Sequence, residues 1–164
     1  MQAPRPRGLT VLAIVYLLTA VGIVLFWTNW FASGDYLRAG DACYRAFENS
    51  FPLPDGVLSL LLVAVSVFIF KRSHYAITGS FVAAGMLLIL ASLDTMYGLQ
   101  HGGFSDWTRG ETFERLFICT QCAALAIVTL LYLPTKYDWF LFEFLPIVRR
   151  FRIPYLVFAG ILAF

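Results

Sequence analysis

The chain has 164 residues, of which 60% are hydrophobic and only 13% are charged, and its mean hydropathy is +0.76. Soluble domains carry about 25% charged residues, so this composition excludes an ordinary water-soluble protein and indicates an integral membrane protein. The net charge of +2 is too small to suggest a nucleic-acid partner, and at this length we expect a single domain.

Four apolar stretches meet or approach the roughly 20 residues that a helix needs to cross a bilayer. They span residues 9–31, 56–70, 75–99 and 116–133. The second stretch is short, but Pro54 precedes it and Asp55 is a candidate N-cap of its helix. The fourth ends at Pro134, which cannot donate a hydrogen bond to a continuing helix. The sequence therefore predicts an all-α fold, a four-helix membrane bundle in one transmembrane domain over residues 1–164.

Basic residues predict the orientation, because Lys and Arg favour the cytoplasmic side of a membrane. Eight of them fall on one side, at Arg5, Arg7, Lys71, Arg72, Lys136, Arg149, Arg150 and Arg152. The two long loops on the other side hold four Arg among seven acidic residues. We therefore expect both termini in the cytoplasm, with Trp27, Trp30 and Phe31 at the outer interface, where amphipathic rings prefer to lie.

The tail over residues 137–164 follows the fourth span. Residues 137–148 alternate aromatic side chains with Asp138 and Glu143, which is typical of an interfacial amphipathic helix. The apolar run 153–164 would reach about 18 Å as a helix, too short for a hydrocarbon core of about 30 Å. We expect an interfacial or re-entrant segment, and the start of a fifth helix remains an open alternative.

Seven polar residues form a candidate ligand-binding cluster: Glu48, Asn49, Asp55, Asp94, Tyr97, His101 and Gln121. Asp94 lies inside the third span, where an ionisable side chain is costly and marks a candidate functional site. With Glu48, Asp55 and His101 it would form an acid-rich pocket for a cation or proton. The alternative is that Asp94 hydrogen-bonds a neighbouring helix and that residues 46–55 are a solvated loop. Gln121 is expected to face the bundle interior or a partner helix.

Cys119 and Cys122 form a CxxC motif near the outer end of the fourth span. In this position the motif resembles the vitamin K epoxide reductase architecture, which implies a thiol–quinone oxidoreductase that exchanges disulfides with loop cysteines. That relay needs a further pair of outer cysteines, and only Cys43 is present there. The alternative is packing, because small residues flank the motif along one face. Three Cys and two His, with His74 on the opposite side, do not predict a zinc site or any other metal site.

Two further motifs carry a second resemblance. Residues 46–55 read AFENSFPLPD and residues 93–99 read LDTMYGL. They resemble the pattern AFExxFPLPD…LDxxYxL of uncharacterised small four-helix proteins of the bacterial inner membrane. The resemblance implies a multi-pass inner-membrane protein and supplies no activity. It also groups Glu48, Asp55, Asp94 and Tyr97 as one set.

The sequence contains no P-loop, dinucleotide fingerprint, nucleophile elbow or HExxH motif. Its 16 Phe, 8 Tyr and 4 Trp offer large, rigid contact surfaces to lipids, partners or pigments. We therefore expect no enzyme but an accessory subunit, or a protein that binds a lipid or another apolar ligand. A membrane-protein partner or a second copy is the expected associate, and the cofactor is left open. A thiol–quinone oxidoreductase is the first alternative, and a small proton-coupled transporter that uses Asp94 is the second.

Overall fold

The computed structural model describes residues 4–38, 42–101 and 110–140, and every regular element in these ranges is helical. In chain order the elements are α1 (Arg7–Ser33), α2 (Asp35–Arg38), α3 (Ala42–Glu48), α4 (Pro52–Phe70), α5 (Tyr75–Gln100), α6 (Gly110–Tyr132), a 3-10 turn (Leu133–Lys136) and α7 (Tyr137–Phe140). The predicted re-entrant run 153–164, and the tail from residue 141 onwards, lie outside the described residues.

The predicted four-helix membrane bundle is confirmed. Four helical segments are long and apolar enough to cross a membrane: Arg7–Ser33, Ala42–Phe70, Tyr75–Gln100 and Leu116–Phe140. Their outward faces are apolar, since Leu18, Leu25 and Leu60 expose 65%, 63% and 74% of their surface. Continuous apolar faces of this kind are unfavourable in water and favourable in lipid. The chain is therefore a multi-pass membrane protein.

Two helices begin earlier than the sequence predicts. α4 starts at Pro52 instead of residue 56, because proline is accommodated in the first turn of a helix. Phe51 takes the N-cap position, so the predicted N-cap role of Asp55 is wrong. α6 starts at Gly110 instead of residue 116, because a helix tolerates polar residues where it extends past the hydrocarbon core. At its other end α6 finishes at Tyr132, close to the predicted end of the fourth span, and Pro134 lies in the 3-10 turn that follows.

The four long helices form a closed bundle. α1 packs along α4, α4 along α5, and α5 along α6. α6 returns to α1 through two hydrogen bonds: the hydroxyls of Tyr16 and Thr129 lie 2.7 Å apart, and Gln121 Nε2 donates to Thr19 Oγ1 at 3.2 Å. The interior between the helices is built from small and branched side chains, among them the fully buried Ala13, Leu62, Val65, Ala83, Ala84, Leu87 and Ala126.

Gly79 allows α5 to approach α4 closely. A Cβ atom added at Gly79 would lie 2.6 Å from Cγ2 of Val65, well inside van der Waals contact. Val65 is fully buried, and its branched side chain is stiff at χ1, so it cannot easily move aside. The contact fixes both the distance and the register of these two helices.

The Gly79 contact gives a first test. We expect Gly79→Ala to destabilise the purified protein in detergent by about 1–3 kcal/mol, because the added methyl overpacks the α4–α5 interface. Gly85→Ala is the matched control: it lies in the same helix, and an added Cβ there meets nothing within 4 Å. Thermal unfolding measures both. If the two variants unfold at the same temperature, α4 and α5 do not touch at Gly79.

The Tyr16–Thr129 bond gives a second test. Both residues are fully buried, so removing one hydroxyl deletes the bond between α1 and α6, although Thr129 still donates to the backbone oxygen of Leu125 at 2.8 Å. We expect Tyr16→Phe to destabilise the bundle by about 1 kcal/mol and to show coupling with Thr129→Val in a double-mutant cycle. Tyr75→Phe, at a tyrosine that exposes 60% of its surface, is the control with no expected effect. Strict additivity of the two buried variants would contradict the bond.

Candidate functional site

Two half-buried aspartates lie near the end of the bundle where α1 and α5 finish and α4 begins, which we call the acidic end. Asp55 is in the first turn of α4, and Asp94 lies within the last two turns of α5. Trp27 Nε1 donates to Asp55 Oδ2 at 2.9 Å, and Cys119 Sγ donates to Asp94 Oδ2 at 2.9 Å. The two carboxylates are close enough to interact electrostatically. α4, α5 and α6 therefore bring their polar side chains to one place.

The CxxC motif belongs to the same region. Cys119 is buried and Cys122 is half-buried, and both are free thiols. Cys122 interacts electrostatically with both Asp55 and Asp94, and Thr95 lies beside Cys119. Sequence reasoning treated the cysteines and the aspartates as separate features. The structure assembles them into one partly buried cluster of two carboxylates and two thiols, which we call the carboxylate–thiol cluster.

Aromatic rings from α1, α2, α3 and α5 and from the residues at the start of α4 and the end of α5 contact one another beside this cluster. We call them the aromatic collar, made of Trp27, Trp30, Phe31, Tyr36, Tyr44, Phe47, Phe51, Tyr97 and His101. The Tyr97 ring is stacked between two others, with centroids 4.0 Å from Phe47 and 4.1 Å from His101. Trp27 belongs to the collar and also binds Asp55, so the collar adjoins the carboxylates directly.

Hydrogen bonds fix the collar at its rim. Trp30 Nε1 donates to Asn49 Oδ1 at 3.1 Å, and Asn49 Nδ2 donates to the backbone oxygen of Tyr36 at 3.1 Å. Cys43 Sγ lies 3.9 Å from His101 Nε2, so the third cysteine is an exposed free thiol of the rim. The amide of Asn49 thus ties α1 to the segment that follows it.

The structure places the seven predicted cluster residues in four positions. Asp55 and Asp94 lie near each other, half-buried, at the acidic end. Asn49, Tyr97 and His101 belong to the collar or its rim, and Glu48 is half-buried at the end of α3. Gln121 bonds Thr19 on α1, so it faces the bundle interior as expected. The interpretation of residues 46–55 as a solvated loop is wrong, because α3 extends to Glu48 and α4 begins at Pro52.

Sequence reasoning missed the part that two residues play in the site. Trp27 was predicted at the outer interface, and the structure adds that it is 8% exposed and donates to Asp55. Thr95 carries no sequence signal except that it follows Asp94. The signal for Trp27 was its polar N–H, because a tryptophan that is buried in a bundle needs an acceptor.

Within the described residues, no group of three or more His, Cys, Asp or Glu side chains is placed to hold a metal ion. Comparison of the chain with protein-family models, with curated proteins and with solved structures gives no match. The fold alone does not define a function, so the function has to be argued from the carboxylate–thiol cluster and the aromatic collar.

The burial of the thiols gives a third test. We expect N-ethylmaleimide to modify the exposed Cys43 at least about tenfold faster than Cys119, because Cys119 becomes accessible only when the bundle opens. Peptide mapping by mass spectrometry after timed labelling measures both rates, and denatured protein, in which all three cysteines react, is the control. Equal rates in the native protein would contradict the burial of Cys119.

Proposed function

We propose that this chain is an inner-membrane protein of bacteria that acts by binding an apolar ligand with a cationic or hydrogen-bond-donating group. The observation that carries the proposal is the hydrogen bond from Trp27 of the aromatic collar to the carboxylate of Asp55, which interacts electrostatically with Asp94. We further propose that both termini are cytoplasmic, so that the acidic end faces outwards. The surplus of Lys and Arg at the opposite end supports this orientation, and the resemblance to small bacterial proteins supports the location.

The collar and the carboxylates supply complementary parts of a binding site. Ligand sites are mostly apolar, with a few placed polar groups that set orientation and specificity. Rings that contact one another, such as Phe47 and Tyr97, offer rigid apolar contact to a ligand. A carboxylate in a membrane bundle is costly, and a cationic group placed beside it offsets that cost. Asp55 and Asp94 would thus select a ligand with a cationic group, while the collar binds the apolar part of the same ligand.

The first experiment is native mass spectrometry of the protein in mild detergent. On the proposal, a small apolar molecule co-purifies with the protein in a fixed ratio. A membrane protein that co-purifies in fixed ratio would instead favour the accessory-subunit reading, with the collar as its contact surface. Protein that carries no bound molecule and no partner would count against both.

A matched probe pair gives the fourth test, because trimethylammonium-diphenylhexatriene and diphenylhexatriene differ only in a cationic group. Both accept energy from tryptophan, so in a Trp107→Phe, Trp139→Phe background saturable transfer comes from Trp27 and Trp30 and reports binding near the collar. We expect the cationic probe to bind more tightly than the neutral one. Asp94→Asn or Asp55→Asn should lower the ratio of the two affinities about tenfold. Asp138→Asn, at an exposed carboxylate of α7, is the control. Equal binding of the two probes to the unaltered protein would overturn the role of the carboxylates.

The carboxylate–thiol cluster favours a second candidate, a thiol–quinone oxidoreductase. Cys119 and Cys122 lie one helical turn apart beside two carboxylates that can take up protons. In this reaction the two thiols form a disulfide, and their two electrons and two protons convert a quinone to a hydroquinone. Loss of quinone reduction in Cys119→Ser and Cys122→Ser, with retention in Cys43→Ser, would establish it. Thiols that stay reduced in the presence of a quinone would remove it.

A further inference from the structure

The end of the bundle opposite the acidic end is strongly basic. It is formed by residues 4–8, 68–78 and 130–140, where α1 begins, α4 turns into α5, and α6 finishes. These described residues hold five cationic side chains, Arg5, Arg7, Lys71, Arg72 and Lys136, against the single carboxylate of Asp138. We call this surface the basic end.

Arg5 is fixed in position although it is exposed. Its Nη2 donates to the backbone oxygen of Phe70 at 2.8 Å, and its guanidinium lies over the Phe70 ring at 5.0 Å from the centroid. A guanidinium has five N–H donors, and the bond to Phe70 uses one of them on the described chain. An arginine that is already ordered loses less side-chain entropy when it binds an anion.

Lys71 brings a second cation to the same place. It follows Phe70 directly in the chain and is exposed, so its backbone is one residue from the carbonyl that holds Arg5. Aromatic rings lie beside two of the other cations: Arg72 lies 4.9 Å from the Trp139 ring centroid and Lys136 lies 5.3 Å from that of Tyr132. Rings and cations at one height are typical of the headgroup region of a membrane.

The lipid-facing surface continues directly from this site. Val11 on α1 and Val67 on α4 lie about one turn into the bundle from the basic residues, and they expose 59% and 40% of their surface. An anion that carries acyl chains can therefore place its phosphate at Arg5 and Lys71 and its chains along these two helices. A soluble phosphate would contact only Arg5 and Lys71 and would leave the apolar faces of α1 and α4 unused.

We propose that the basic end binds the phosphate headgroup of an anionic phospholipid between Arg5 and Lys71. The site is independent of any ligand at the aromatic collar. Anionic lipids attract each Lys or Arg near the membrane surface, and the fixed guanidinium of Arg5 adds directed hydrogen bonds to that attraction.

The test uses the full chain in nanodiscs of phosphatidylcholine mixed with phosphatidylglycerol, with retained lipids counted by native mass spectrometry. We expect phosphatidylglycerol to be enriched on the protein at least about threefold over its share of the nanodisc. Arg5→Gln and Lys71→Gln should each reduce this enrichment, whereas Arg45→Gln on α3 at the acidic end should not. Unchanged enrichment in both basic-end variants, or an equal loss with Arg45→Gln, would overturn the proposal.

Two further arms make the result decisive. The reference is the thermal unfolding temperature of the protein in pure phosphatidylcholine nanodiscs. It is compared with the unfolding temperature after inorganic phosphate is added to those nanodiscs, and with that in nanodiscs that contain phosphatidylglycerol. A rise with phosphatidylglycerol alone supports a lipid site, and an equal rise with phosphate overturns it in favour of a soluble anion. Arg5→Lys keeps the charge and removes the planar fork, so full enrichment in that variant would overturn the part of the proposal that concerns directed bonds.

Discussion

Lipid gives helices no hydrophobic reason to associate, because a bilayer is as apolar as their side chains. The bundle therefore depends on close backbone approach and on hydrogen bonds between helices. Gly79 against Val65 supplies the first, and the buried bond between Tyr16 and Thr129 supplies the second. Ser66 adds a hydroxyl bond to the backbone oxygen of Ala13 at 3.0 Å. Each of these contacts joins a different pair of helices, so together they fix the whole arrangement.

The acidic end departs from this packing. Small residues give way to Trp27 and to the ionisable Asp55 and Asp94, and each carboxylate receives a donor from a neighbouring helix. Such bonds offset part of the cost of placing a carboxylate in the bundle, and they also fix where its oxygens point. The tightly packed half of the bundle thus provides a rigid support, and the acidic end uses that support to hold groups that packing alone would not select.

Hydropathy predicted the four spans because lipid imposes length and composition on every helix that crosses it. The candidate site was only partly predictable. The position of Asp94 in a span made it a candidate, but its bond to Cys119 depends on how α5 and α6 rotate about their axes, which packing decides. The start of α4 was predicted too late because Asp55 was taken as its N-cap, although Pro52 and Pro54 both fit a first turn. The bond from Trp27 to Asp55 was not predictable, because the same residue type suits both an interface and a buried bond.

The distribution of charge links the two ends of the molecule. If the basic end lies at the cytoplasmic surface, as the proposed orientation requires, the carboxylate–thiol cluster lies in the outer half of the bilayer, below the collar. The collar is not fully covered by the protein, since Phe31 and Tyr36 expose 48% and 36% of their surface. An amphipathic cation held at the outer interface would already have its charge at the level of the collar and its apolar part in the membrane. Such a ligand can reach Asp55 and Asp94 sideways through the outer leaflet, without first crossing the bilayer.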